Sequence, residues 1–346
     1  MIAVFGGYGT FGAHASRALA AAGIPLRIAG RDGERARAFA AGLGAGHEGI
    51  AADAGDPASS ARVLAGIQVA VSCAGPFSGL GTALPEACLA AGAHYVDISD
   101  DRAWHARLRS WDDRFRERGL TAAVGCSSLP GISGALAVLA AERLPAVDRA
   151  RVTLFIGNRN PKGEAAVRSA ATQLGKVFPA PQGFLRGLAG RERVDLPPPF
   201  GPRIVHDWES PELDLFPRLL GARDVRVKVG FESPLANTAA ATLAHLGPRL
   251  GGALLQAFTP VARLLSRSGH SGGFVKVELW APDGTTASLA LGGASDGQRM
   301  AALPAAFVAQ GLVDGTVTAR GVVTAWEALG ASALIERLGA AGYGLI

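Results

Sequence analysis

The sequence predicts an α/β protein: a doubly wound parallel sheet at the amino end, a second mixed α/β domain, and a C-terminal helix that returns to the first domain. Three observations carry this expectation. Short apolar runs alternate with Ala- and Leu-rich helical stretches over the first 145 residues. A glycine turn, Gly7-x-Gly9-x-x-Gly12, joins the first run to the first helix. Later runs alternate apolar and polar residues, and Asp283-Gly284 separates two of them. The expected domains are 1–145 with 318–346, and 146–317.

The first element is the apolar run 2–5, read as a buried parallel strand. In the turn that follows, Gly7 is assigned the tight bend, Gly9 the close approach of a pyrophosphate, and Gly12 the close packing of helix on strand. The helix over 14–22 would present free N–H groups and its positive dipole end to the phosphates. Gly7, Tyr8, Gly9, Thr10, Phe11 and Gly12 are therefore candidate cofactor residues. The second strand, 25–30, ends in Gly30-Arg31, where NAD-binding domains carry an acidic residue. Gly30 leaves room and Arg31 offers a fork to a 2′-phosphate, so NADP(H) is the expected cofactor. Arg35 and Arg37 are read as the wet face of the helix 34–43, with Arg35 in a position to assist.

The third strand, 48–53, places Asp53 at its carboxyl end, near the expected adenine. Asp56-Pro57 reads as a cap with proline at the first helical position. The fourth strand, 68–74, runs into Ala74-Gly75-Pro76-Phe77-Ser78. Here Ala74, Gly75, Pro76 and Phe77 form an apolar wall for the nicotinamide, and Ser78 is a substrate contact; a plain strand-to-helix turn is the alternative. The helix 82–91, strand 94–99, helix 102–118, strand 121–126 and an apolar helix ending near Leu144 complete six βα units, a whole Rossmann domain. Asp97 is the candidate catalytic residue, a strand-end carboxylate that equally fits a helix cap. Ser99, Asp100 and Ser127 are strand-end candidates of the same kind, Ser99 and Ser127 for substrate.

Three segments, GGYGTFG, CAGPFSGLGTALPEACLAAGAHYVDISD and GCSSLPGISG, together resemble the NADP-binding domain of saccharopine dehydrogenase-like oxidoreductases. The resemblance covers about residues 1–145 and continues more loosely through GNRNPKGEAAVRSA and the C-terminal helix. It implies an NADP-dependent oxidoreductase with an inserted mixed α/β domain. One position departs. Saccharopine-forming enzymes carry an acidic residue before the Pro-Gly of the last turn, and Leu129 stands there. The departure keeps non-amino-acid substrates open, including those of trans-acting enoyl reductases.

In the second half, 151–156 reads as a strand of a new sheet, 157–163 as a polar loop and 165–176 as a helix. Asn158 and Arg168 would bind an acidic or carbonyl group, or else lie on a solvated surface. Residues 179–203 read as short strands and turns, 207–220 as a turn with a helix, and 224–231 as a strand with one wet face. The apolar stretch 236–266 reads as two helices with a break, and three uses compete for it: dimer contact, lid, or peripheral membrane contact. A hairpin over 274–279 and 286–291, a helix over 296–310 and an amphipathic helix over 325–341 complete the chain.

Composition bounds the function. Hydrophobic residues make up 49% and charged residues 18%, ample for two cores. The formal charge of +5 comes from scattered arginines, which argues against nucleic acid. The three cysteines and seven histidines lack ligand spacing, so no metal is expected. No uninterrupted apolar segment is long enough to span a bilayer, and no signal peptide fits. The expectation is a cytoplasmic homodimer acting on a small molecule. Within the enzyme class a lipid-linked enoyl reductase competes; outside it, a non-catalytic NADP(H) sensor or scaffold.

Overall fold

The computed structural model describes residues 1–161, 164–196, 198–245 and 269–345, with the backbone alone for 164–167, 234–236 and 240. The chain forms two units, Met1–Ile132 with Ala301–Leu334, and Ser133–Met300 with Ile335–Ile346.

In the first unit, β1 (Ile2–Phe5) is buried at every position. A strand covered on both faces has no wet side, which is why its run is continuous rather than alternating. β1 pairs in parallel with β2 (Leu26–Gly30) on one side and β4 (Val69–Ser72) on the other, with Ile2 opposite both Leu26 and Val69. β3 (Glu48–Ala51), β5 (His94–Asp97), β6 (Thr121–Ala123) and β15 (Gly321–Val323) complete the order β15-β6-β5-β4-β1-β2-β3, parallel throughout. The order reverses at β1. The carboxyl ends of β1 and β4 therefore flank the switch point at which open α/β sheets bind ligands.

Aspartates start the crossover helices. Asp32 accepts from the Arg35 N–H at the head of α2 (Gly33–Leu43), and Asp56 from the Ser59 N–H at the head of α3 (Pro57–Leu64), with Pro57 in the first turn. Each such cap satisfies an orphan N–H and is worth about 1 kcal/mol.

Two expected helices are broken. The stretch 102–118 divides into α5 (Arg102–Arg109) and α6 (Asp112–Glu117). The break frees the Asp112 carboxylate to accept from the Val322 N–H of β15 at 2.7 Å. The stretch 325–341 divides at Gly330, φ +84°, into α12 (Ala325–Leu329) and α13 (Ala331–Ala340). Residues 301–334 return to the first unit and supply its seventh strand, which sequence periodicity missed. The chain then ends in the second unit, where β16 (Gly344–Leu345) pairs with β14 (Thr286–Gly293).

The second unit holds the sheet β10-β11-β12-β7-β13-β14-β16. β7 (Arg149–Ile156) runs parallel to β12 (Asp224–Gly230) and antiparallel to β13 (Gly273–Trp280). β13 and β14 form the expected Asp283-Gly284 hairpin. β10 (Glu192–Leu196) and β11 (Gly201–Asp207) extend the other edge, and β8 (Val177–Ala180) with β9 (Gly183–Arg186) makes a separate ribbon. The helix α7 (Ser133–Ala141), expected in the first domain, belongs to this unit because it packs on β13 and β14. Of the stretch 236–266, the first ten residues lie in α10 (Pro234–His245) and the rest lies outside the described residues.

The strand expected to have a wet face, β12, does not have one at Lys228. Its side chain is 2% exposed and pairs with Asp207, 5% exposed, at 2.8 Å, while donating to the Gly190 carbonyl at 2.7 Å. β12 lies between β11 and β7, so its charge is held inside the sheet layers. Removing one partner of such a pair strands the other charge in low dielectric. Lys228→Ala is expected to cost about 3–5 kcal/mol in urea unfolding, and the double change Lys228→Met with Asp207→Leu to recover most of it.

Candidate cofactor and active site

The glycine turn begins one residue earlier than the motif suggests. Gly6 carries φ +71° and donates its N–H to the Ala29 carbonyl at 2.7 Å, so the left-handed residue of the turn is Gly6 and not Gly7. Gly7 is buried, and its carbonyl accepts from the Ser16 hydroxyl at 3.1 Å. Gly9 donates to the Gly6 carbonyl at 2.8 Å. A Cβ on Gly12 would overlap that same carbonyl oxygen, so α1 (Gly12–Ala21) can start this close to the turn only with glycine there. No side chain caps α1 at its N-cap residue Phe11. Tyr8, Thr10 and Phe11 are half-buried along the same turn. The cradle fits a pyrophosphate at a helix end that no side chain caps.

At the end of β2, the Tyr8 ring occupies the space that a Gly30 side chain would fill. The Tyr8 hydroxyl accepts from the Asp32 N–H at 3.0 Å, and the Arg35 guanidinium lies 4.8 Å from the ring centroid. Arg31 is exposed. Two guanidinium groups thus stand at this strand end, while the nearest carboxylate, Asp32, is engaged as a helix cap. That donor set suits a 2′-phosphate and not a bare ribose. Asp53 is exposed; its Oδ1 accepts from the Gly55 N–H at 2.9 Å and shapes the entry to α3.

After β4, Ala74, Pro76 and Phe77 are half-buried, and Gly75 and Ser78 are exposed. The Phe77 ring packs on Trp104 of α5 at 5.6 Å between centroids. Trp104 donates its indole N–H to Asp97 Oδ2 at 2.7 Å. Asp97 Oδ1 accepts from the Ser99 N–H at 3.0 Å and the Gly125 N–H at 2.8 Å. Asp97 is fully buried. Burial pushes its carboxyl up from the ordinary carboxylate value, and the Gly125, Trp104 and Ser99 donors pull against that shift. The candidate catalytic residue is thus enclosed and fully engaged. It ties the end of β5 to the turn after β6 and to the wall after β4. Ser99 is also buried, its hydroxyl accepting from the Asp101 N–H at 3.2 Å. Ser127 is half-buried at the β6 turn. The thiols at this edge are inert: burial pushes Cys73 up to about 12 and Cys126 well above its ordinary value.

The structure gathers the cofactor candidates, Asp97, Ser78, Ser99 and Ser127 at the carboxyl edge of one sheet. Asn158 and Arg168 lie in the other unit. The Asn158 N–H donates to Glu232 at 2.7 Å, and Arg168 is exposed on α8 (Glu164–Gln173). Glu232 also accepts from the His270 backbone N–H and bonds the His270 ring. Sequence reading missed Gly6 and Trp104. Gly6 was visible as the first of two adjacent glycines; Trp104 had no local signal, because its partners lie on other elements.

Residues 2–123 match the family model described as the saccharopine dehydrogenase NADP binding domain. The match places an NADP-binding domain in the first unit. An apo histidine-tagged saccharopine dehydrogenase (L-Glu forming) from Saccharomyces cerevisiae aligns over 100% of this chain and 99% of its own, with TM-score 0.70 and 14% identity. At that identity the likeness is one of fold, and it extends through both units. A meso-dapdh mutant with DAP from Clostridium tetani E88 covers 96% of this chain and 95% of its own at 15% identity, with TM-score 0.48. No curated protein sequence matches the chain. Among the described residues, no helix is long and apolar enough to cross a membrane.

Asp97→Ala leaves three buried donors without an acceptor. It is expected to lower stability by about 3 kcal/mol or more in chemical denaturation, beyond what a surface Asp→Ala costs.

Proposed function

We propose that the protein is an NADP(H)-dependent oxidoreductase that transfers a hydride to or from a C=O, C=N or C=C bond of a small metabolite. The observation that carries this reading is an NADP-binding domain whose switch-point edge holds a complete phosphate cradle and an apolar wall. When bound, the cofactor supplies the hydride at its nicotinamide ring. In this reading the Gly6–Gly12 turn and the amino end of α1 hold the pyrophosphate. Arg31 and Arg35 take the 2′-phosphate, with Gly30 making room for the Tyr8 ring beside them. Ala74, Gly75, Pro76 and Phe77 press on the nicotinamide and exclude water from one face. Asp97 is a positioning residue: it holds Trp104, and through it Phe77, in place. Ser78 and Ser127 are substrate contacts on the same edge.

The substrate reading follows from Leu129. It is 1% exposed in the turn Ser128–Ile132 and puts no carboxylate there. A substrate carrying an ammonium group would find no counter-charge at this position, which favours substrates without one.

The test is a fluorescence titration with NADPH and NADH on the wild type and on Arg31→Ala. Loss of a charge-assisted phosphate contact is expected to weaken NADPH about 10- to 100-fold and NADH little. Equal weakening of both would contradict the 2′-phosphate role. NADPH oxidation measured across a carbonyl, imine and enoyl panel then tests turnover. Tight NADPH binding with no turnover on any class would favour a sensor.

A further inference from the structure

The glycine turn sends one side chain across to the end of β2. Tyr8 stands between Gly7 and Gly9, and its ring lies against the backbone of Gly30. A Cβ built on Gly30 would sit 2.7 Å from the Tyr8 hydroxyl oxygen, closer than real atoms approach. Only glycine at position 30 leaves this space to the ring.

Three contacts close a circuit at this strand end. The Tyr8 hydroxyl accepts from the Asp32 N–H at 3.0 Å. The Asp32 carboxylate accepts from the Arg35 N–H, also at 3.0 Å. The Arg35 guanidinium then returns to the Tyr8 ring, 4.8 Å from its centroid, within reach of a cation–π contact. Arg35 is exposed and pairs with no carboxylate among the described residues, so the ring is what holds its charge in place. Arg31 is exposed as well, and among the described residues no hydrogen bond or ion pair fixes its guanidinium. The two arginines therefore differ: one is held by the glycine turn, the other is free to swing. A long side chain that must be ordered by its ligand weakens binding about 3- to 10-fold relative to one already in place.

We propose that Tyr8 is a specificity-determining residue of the cofactor site, because its ring holds the Arg35 guanidinium ready for a 2′-phosphate. The inference rests on the NADP(H) reading above and deepens it. Tyr8 acts on the phosphate through Arg35, so it is a positioning residue. The same circuit keeps the Asp32 carboxylate on the Arg35 N–H and away from a ribose hydroxyl, the group that a strand-end acid binds in NAD-type sites. One side chain thus joins the pyrophosphate cradle, which its own backbone helps to form, to the selectivity of the site at the next strand.

The test is the ratio of NADPH to NADH affinity, read by fluorescence titration of the full chain. Any loss that a Tyr8 variant causes in the shared cradle falls on both nucleotides and cancels in this ratio. Tyr8→Leu is expected to lower the ratio about 3- to 10-fold, the cost of ordering Arg35 anew. Arg35→Ala is expected to lower it at least as far, because the charge-assisted phosphate contact itself is lost. Added to Arg35→Ala, Tyr8→Leu is expected to change the ratio by less than about twofold, since the two residues act as one unit. Tyr8→Phe keeps the ring and is expected to hold the ratio within about twofold of the wild type. An unchanged ratio in Tyr8→Leu marks a ring that only fills space and overturns the proposal. A fall as large without Arg35 as with it also overturns it. Both failures leave the 2′-phosphate reading intact as long as Arg31→Ala weakens NADPH selectively. Failure of Arg31→Ala and Arg35→Ala alike to change the ratio overturns that reading itself.

Discussion

The first unit depends on one buried carboxylate. Asp97 receives N–H groups from three places: its own strand end at Ser99, the turn after β6 at Gly125, and the indole of Trp104 on α5. Three connections of a parallel sheet are thereby tied at the edge where a cofactor binds. Burial of the charge opposes its ionisation, and only the convergence of these donors makes the arrangement tenable. Through Trp104 the same group sets the position of Phe77, and so the wall beside the switch point. A strand-end carboxylate that reads in sequence as a catalyst or a cap is here enclosed and bonded to three elements of this edge.

The second unit has a counterpart in Lys228 and Asp207. Their pair lies within the layers of a mixed sheet, with Gly190 so close that a side chain there would overlap the Asp207 carboxylate. Both units therefore place charge in their interiors and satisfy it with donors and acceptors from elements far apart in the chain. Such groups favour one arrangement of loops, because any other arrangement leaves a charge buried without a partner.

The separation of tasks among neighbouring aspartates follows the same logic. Asp32, Asp56 and Asp101 spend their side chains on helix N–H groups, Asp97 on the sheet edge, and Asp112 on the edge strand β15.

Local sequence determined much of this protein. The apolar run at 2–5 and the mainly apolar runs at 69–72 and 121–123 specify strands buried on both faces, because a strand with no wet side needs few polar side chains. The glycine turn, the Gly30-Arg31 strand end and the Asp-Pro cap at 56–57 each carry their physical reason within a few residues. So does the hairpin at Asp283-Gly284, where the turn geometry demands those residue types. Tertiary structure alone decided that β15 returns from position 321 to complete the first sheet and that 102–118 and 325–341 break. It also moved α7 to the second unit and turned Asp97 and Lys228 inward. These outcomes depend on partners 28 residues away for Gly125, 38 for Gly190 and 210 for Val322. Periodicity records which face of an element is apolar. It does not record which distant N–H or carbonyl will meet a polar side chain on that face, and that meeting decides whether an aspartate caps a helix or braces a sheet edge.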